Sequence, residues 1–139
     1  MPSEYKEATI SGKGAHEKMI PQPKLTPRPK ENLYELIEEY SYKCTVDGET
    51  LLITIPAGFI YNGASIPAIG WLVTYTPFHP DVMVPALIHD YLYGDHSLGI
   101  DRYTADSILY QMLVENGVKE ITAEIMYQAV RAAGSAFWA

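Results

Sequence analysis

A single cysteine, Cys44, stands among 139 residues. One thiol builds neither an internal disulfide framework nor a multi-cysteine zinc centre, so the fold has to be held by its apolar core. Long apolar runs are also missing. None approaches the roughly 18 residues that span a bilayer, and no transmembrane segment is expected. The opening Met1-Pro2-Ser3-Glu4-Tyr5-Lys6 lacks the apolar stretch of a secretory signal, so synthesis in a reducing cytoplasm is the expectation. No glycine-rich phosphate loop or dinucleotide fingerprint occurs. Basic residues are scarce: 10 Lys and Arg stand against 17 Asp and Glu, for a net charge of -7. An acidic body repels phosphate, which argues against nucleic acid as a partner.

What is present is a globular composition, 47% hydrophobic and 19% charged, in a length that suits one domain. The charge is unevenly spread. Residues 1–30 hold Lys6, Lys13, Lys18, Lys24, Arg28 and Lys30 against Glu4, Glu7 and Glu17, so the acidic excess lies entirely in the rest. Pro21, Pro23, Pro27 and Pro29 follow closely on one another. Such a stretch is extended rather than helical. Residues 1–30 therefore read as an extended basic arm that lies on its own body or docks on another chain, including a second copy in a homo-oligomer. Residues 31–139 read as the folded domain.

From Leu33, Tyr34, Leu36, Glu38, Tyr40, Tyr42 and Cys44 alternate with Glu35, Ile37, Glu39, Ser41 and Lys43, which predicts a strand, although Leu33 to Glu39 alone also suits a helical turn or two. Asp47-Gly48 marks a turn, and Leu51–Ile55 reads as the returning strand. Three helices are expected after it. The first ends at Tyr93 and starts near Asp81, or nearer Val84 because of Pro85. The second runs from an Asp101 N-cap to an Asn116-Gly117 C-cap. The third runs from about Glu120 to Ala133 with Ile121, Ile125, Ala129 and Ala132 as its apolar stripe, widened by Met126, Tyr127 and Val130. Phe137-Trp138 should cover the core or a partner. The fold class is α+β, a β-hairpin or small antiparallel sheet packed against a three-helix layer.

The chemistry gathers in Leu87-Ile88-His89-Asp90-Tyr91-Leu92-Tyr93. On a helix, His89 and Tyr93 share a face one turn apart, and Asp90 points elsewhere. A neutral imidazole takes or gives a proton near pH 7, and a carboxylate orients it or holds a cation. Asp106 falls on the inward face of the second helix, where an unpaired carboxylate is costly. His89 and Tyr93 are its expected partners, with Arg131 as the alternative. The Asn62-Gly63-Ala64-Ser65 loop precedes the helices and could close over them. Ser65 reads more simply as a turn or cap residue.

Two resemblances follow from these residues. Pro56-Ala57-Gly58-Phe59, Gly63-Ala64-Ser65-Ile66-Pro67, His89-Asp90-Tyr91-Leu92-Tyr93, Asp106 and the Tyr127-to-Gly134 segment resemble a phage-associated family of domains of unknown function, the one numbered 1353, over roughly residues 33–134. That resemblance implies a bacteriophage or prophage gene, with the product made in the host cytoplasm and carried in the phage particle if it is a virion component. Where the family often has Thr-Asp, this chain has Tyr61-Asn62, so a loop carboxylate is missing.

The second resemblance covers four residues. His89-Asp90, then Tyr93, then Asp106 on the next helix is similar to the catalytic helices of secreted phospholipases of the A2 type. It implies His89 as general base, Asp90 as ligand of calcium or another divalent cation, and Tyr93 and Asp106 as the groups that fix the imidazole. The paired cysteines of those enzymes are absent, and their glycine-rich calcium loop has no literal match. The Asn62–Ser65 stretch is the candidate replacement.

Two functions remain open. One is a virion-associated or assembly component that docks on other phage chains through its arm and carries a His–Asp centre of hydrolase type. The other is a calcium-dependent ester hydrolase. A Ser65–His89–Asp106 triad fits less well, because the second glycine of a nucleophile elbow is missing. A phosphohydrolase centre drawing on His79, Asp95 and His96 has no recognisable ligand spacing.

Overall fold

A computed structural model describes residues 20–28, 33–61 and 81–139. The Asn62–Ser65 loop and the first nineteen residues of the expected arm lie outside these. The chain divides into two compact units, Met1–Ile60 and Tyr61–Ala139.

The first unit is built of β-strands. Strand β1 (Leu25–Arg28) pairs antiparallel with β2 (Leu33–Leu36), Leu25 opposite Leu36 and Arg28 opposite Leu33. Pro27 fits this edge strand, where a missing N–H breaks no ladder on the outer side. A short strand β5 (Ile60–Tyr61) lies on the other side of β2, giving the order β1-β2-β5. The second sheet is a hairpin of β3 (Tyr40–Val46) and β4 (Glu49–Ile55). Its turn, Asp47-Gly48, has φ of 51° and 82°. Positive φ at both central residues matches the right-handed twist of the strands, and Asp-Gly tolerates it.

The expected strand from Leu33 to Cys44 is thus interrupted at residues 37–39, and its two parts enter different sheets. Ile37 still donates its N–H to the Lys24 carbonyl, but Tyr40 already pairs with Ile55. On the hairpin, Tyr40, Tyr42, Cys44, Ile53 and Ile55 are buried while Ser41 and Lys43 face out, the period of two that one covered face demands. Burial pushes the Cys44 thiol up to about 12, so it stays protonated and behaves as a small apolar side chain.

Among its described residues the second unit is helical: α1 (Met83–Gly94), α2 (Arg102–Glu115) and α3 (Glu120–Ala133), then a 3-10 turn over Gly134–Phe137. Pro85 falls in the first turn of α1, where the N–H it lacks would have no helical acceptor. Buried residues run almost continuously from Val84 to His89 and resume at Leu92 and Tyr93, so α1 is enclosed on most sides. Asp101 caps α2 by accepting from the Thr104 N–H at 2.8 Å. At the other end Gly117, φ 93°, lets Val118 donate back to the Leu113 carbonyl.

The third helix buries the Met126, Ala129 and Val130 part of the expected face and adds Ala123, while its two isoleucines turn outward. Ala123, Met126, Ala129 and Val130 are buried, whereas Ile121 is 67% and Ile125 38% exposed. That buried face also carries Arg131 into reach of α2, as described below. Among the described residues no helix is long and apolar enough to cross a membrane.

Candidate functional site

Asp106 is the junction of the helical unit. It sits in α2 and is 0% exposed. His89 Nε2 lies 2.7 Å from its Oδ1, and the Tyr93 hydroxyl donates to the same oxygen at 2.6 Å. Arg131, from the last turn of α3, donates to Oδ2 at 2.7 Å. Arg102 Nη1 stands 3.6 Å from Oδ2, one turn before Asp106 on its own helix. Side chains of all three helices therefore meet at one carboxylate. The two sets of partners weighed from sequence, His89 with Tyr93 and Arg131, are both present, one set on each oxygen.

The electrostatics follow from this packing. Burial alone would raise the Asp106 carboxyl. Hydrogen bonds from His89 and Tyr93, with His89 and Arg131 beside it, outweigh burial and hold it below the ordinary carboxylate value. Tyr93 moves the other way: burial and its bond to Asp106 raise its phenol, so it remains a donor. The bond to Asp106 likewise raises Arg131.

An ionised Asp106 offers no hydrogen, so in a neutral His89 the Nε2 proton must lie in the 2.7 Å bond. Nδ1 then carries the lone pair and is the nitrogen able to accept a proton. The His89 and Tyr93 rings pack at 4.2 Å between centroids, which fixes the imidazole plane as well as its tautomer. This is the geometry of an oriented base. It is also the geometry of a closed polar core, since His89 is 1% exposed.

Two further groups hold the junction. Arg102 donates to the Val130 carbonyl at 2.9 Å, a second donor beside the Gly134 backbone N–H at the C-terminus of α3. Gly134 follows directly. A Cβ placed there would lie 2.8 Å from the Tyr93 hydroxyl oxygen and 3.2 Å from Arg102 Nη1. The absence of a side chain is what lets the end of α3 close against Tyr93.

Arg102 was legible in principle, being four residues before Asp106. Gly134 reads from sequence only as a helix terminator.

The remaining expected residues separate from this junction. Asp90 is half-buried, and its charge adds to burial in raising the Tyr61 phenol. A calcium ion takes six to eight oxygens, so Asp90 alone is not a site. Among the described residues no three His, Cys, Asp or Glu gather to hold an ion. Asn62, Gly63, Ala64 and Ser65, and His79, lie outside the described residues. Asp95 accepts from the Ser97 N–H and the Tyr91 hydroxyl. His96 stacks on Trp138 at 4.1 Å and has Nε2 3.0 Å from the Tyr93 carbonyl oxygen. These two residues build the turn after α1. Trp138 also stands edge-on to Tyr93, so the C-terminal aromatic covers the junction's flank.

A family model described as a protein of unknown function, DUF1353, matches residues 34–130. The chain belongs to the DUF1353 family. The matched span contains His89, Asp90, Tyr93, Arg102 and Asp106 and ends one residue before Arg131. No curated protein and no solved structure matches the chain.

Proposed function

We propose that this DUF1353 chain is a bacteriophage-derived accessory protein whose His89–Asp106 centre activates water for ester hydrolysis. The observation that carries the reading is the sharing of one Asp106 oxygen by His89 Nε2 and the Tyr93 hydroxyl. That sharing is what the roles drawn for His89, Tyr93 and Asp106 from the phospholipase resemblance call for, and it supports the reading. In the proposed reaction, Nδ1 of His89 takes a proton from water as the water attacks an ester carbonyl. The imidazolium so formed is stabilised by Asp106, which keeps its own charge. The proton then passes to the leaving alkoxide. A divalent cation with Asp90 among its ligands would supply polarisation of the carbonyl. The described residues provide one carboxylate toward it, and the steps above use His89 and Asp106 only.

A second reading draws on a specific observation. Both oxygens of Asp106 are engaged and the imidazole is enclosed, which suits a polar staple that specifies helix packing. On that reading the protein is a virion or assembly component that docks on other phage chains through residues 1–30.

The test is calcium-dependent thermal melting and ester release from phospholipid and simple esters, on the wild type, His89→Gln and Asp90→Asn. The hydrolase reading expects turnover that His89→Gln abolishes, and a calcium-induced rise in melting temperature that Asp90→Asn weakens. No turnover with any ester, with the chain recovered in purified particles, would leave the assembly role.

A further inference from the structure

The helical unit carries a second feature that the His89–Asp106 centre does not use. A cleft of about 300 Å3 opens between α2 and α3, lined by Tyr103, Ser107, Tyr110, Gln111, Glu124 and Tyr127. The spacing is that of one helix face against another: 103, 107, 110 and 111 on α2, and 124 and 127 on α3. Tyr110 and Tyr127 stand at 68° with centroids 5.9 Å apart. Two rings set steeply to each other form adjoining aromatic walls rather than a flat stack. Tyr103, 58% exposed, lies at the same cleft, and Glu124 adds a carboxylate.

We propose that this cleft binds a quaternary ammonium group. Phenol rings attract such a cation through the negative faces of their π systems, and a soft, weakly hydrated trimethylammonium loses little in leaving water. Glu124 supplies the opposite charge, with one oxygen accepting from Gln128 at 2.7 Å. Arg131 places its guanidinium carbon 5.4 Å from the centre of the Tyr103 ring. Its charge is met by Asp106 at 2.7 Å, so it does not cancel Glu124. It already lies over the Tyr103 ring, so the ligand's cation is left to Tyr110 and Tyr127.

The proposal does not rest on the hydrolase reading. A trimethylammonium group reaches proteins either on a free small molecule or on a phosphocholine headgroup in a lipid surface. Ile121 and Ile125, exposed one turn apart on α3, suit the second source.

The experiment is a titration of the full chain with choline, followed by calorimetry or by tyrosine fluorescence. Its control is the uncharged isostere 3,3-dimethylbutanol. Vesicles of phosphatidylcholine and of phosphatidylglycerol form separate arms. Choline should bind with a millimolar dissociation constant and the isostere should not compete. Tyr110→Ala should weaken binding roughly tenfold and Glu124→Gln about threefold, whereas Tyr127→Phe, which keeps the aromatic face, should bind nearly as well as the wild type. All four chains are compared by melting temperature to confirm folding.

Binding of choline without phosphatidylcholine vesicles identifies a free cation as the ligand; binding of both identifies the headgroup. No saturation by choline up to about 100 mM, equal competition by the isostere, or unchanged affinity in folded Tyr110→Ala would overturn the proposal. Binding to vesicles of either lipid without binding choline would overturn it too.

Discussion

Replacing Asp106 by Asn tests the junction most directly, because the volume stays the same and only charge and one acceptor change. In the wild type, Oδ1 accepts from His89 and Tyr93, and Oδ2 accepts from Arg131. An Asn with its carbonyl on the Oδ1 side keeps both buried bonds as neutral ones. A hydrogen bond to a charged group contributes about 1 kcal/mol more than a neutral one, so those two bonds lose about 2 kcal/mol together. On the other side an amide NH2 would face the guanidinium, and that bond is lost. The Arg131 side chain is 30% exposed, so water re-solvates it and the extra cost is about 0–1 kcal/mol.

The expected total is about 2–3 kcal/mol, a fall of roughly 10 °C in melting temperature for a chain of this size. Urea denaturation gives the free energy, and a cycle with His89→Gln gives the coupling, expected at about 1 kcal/mol. A variant within about 0.5 kcal/mol of the wild type would refute the claim that this carboxylate ties the three helices.

Two more outcomes follow from the same geometry. The Asp106 carboxyl is held below its ordinary 3.8 in the folded chain, so its contribution is fully present above that pH and is lost as pH falls through the lower, folded value. The stability gap between wild type and Asp106→Asn should therefore be constant at neutral pH and narrow only in strong acid, as followed by urea melts across pH. Gly134→Ala should cost about 1–3 kcal/mol through its contact with the Tyr93 hydroxyl, and Tyr93→Phe should relieve part of that cost in the double variant, as read by denaturation of all four chains.

Local chemistry made much of the fold legible. Asp101 and Asn116-Gly117 bound α2 because caps act within one turn of chain, and Asp47-Gly48 makes its turn because φ preferences belong to the residues themselves. The meeting of His89, Tyr93 and Asp106 was also open to sequence reasoning. One helix turn places the first two together, and burial of a carboxylate demands partners. Long-range placement was not legible in the same way.

The residues from Leu33 to Cys44 alternate well enough for one strand, yet they break at residues 37–39 because β2 takes β1 and β5 as partners while β3 takes β4. Nothing local distinguishes a strand with one partner from two strands with different ones. The rotation of α3 is similar. Ile121 and Ile125 are more apolar than Ala123 and Ala129, but the small residues are the ones buried. Whole-helix packing chose that face, together with Arg131 on Asp106 and the close approach of Gly134 to Tyr93. Caps, turns and helix faces were thus determined by the sequence through short-range sterics and hydrogen bonds. Which face goes inward, and which cation meets a buried carboxylate, was decided only when the three helices packed.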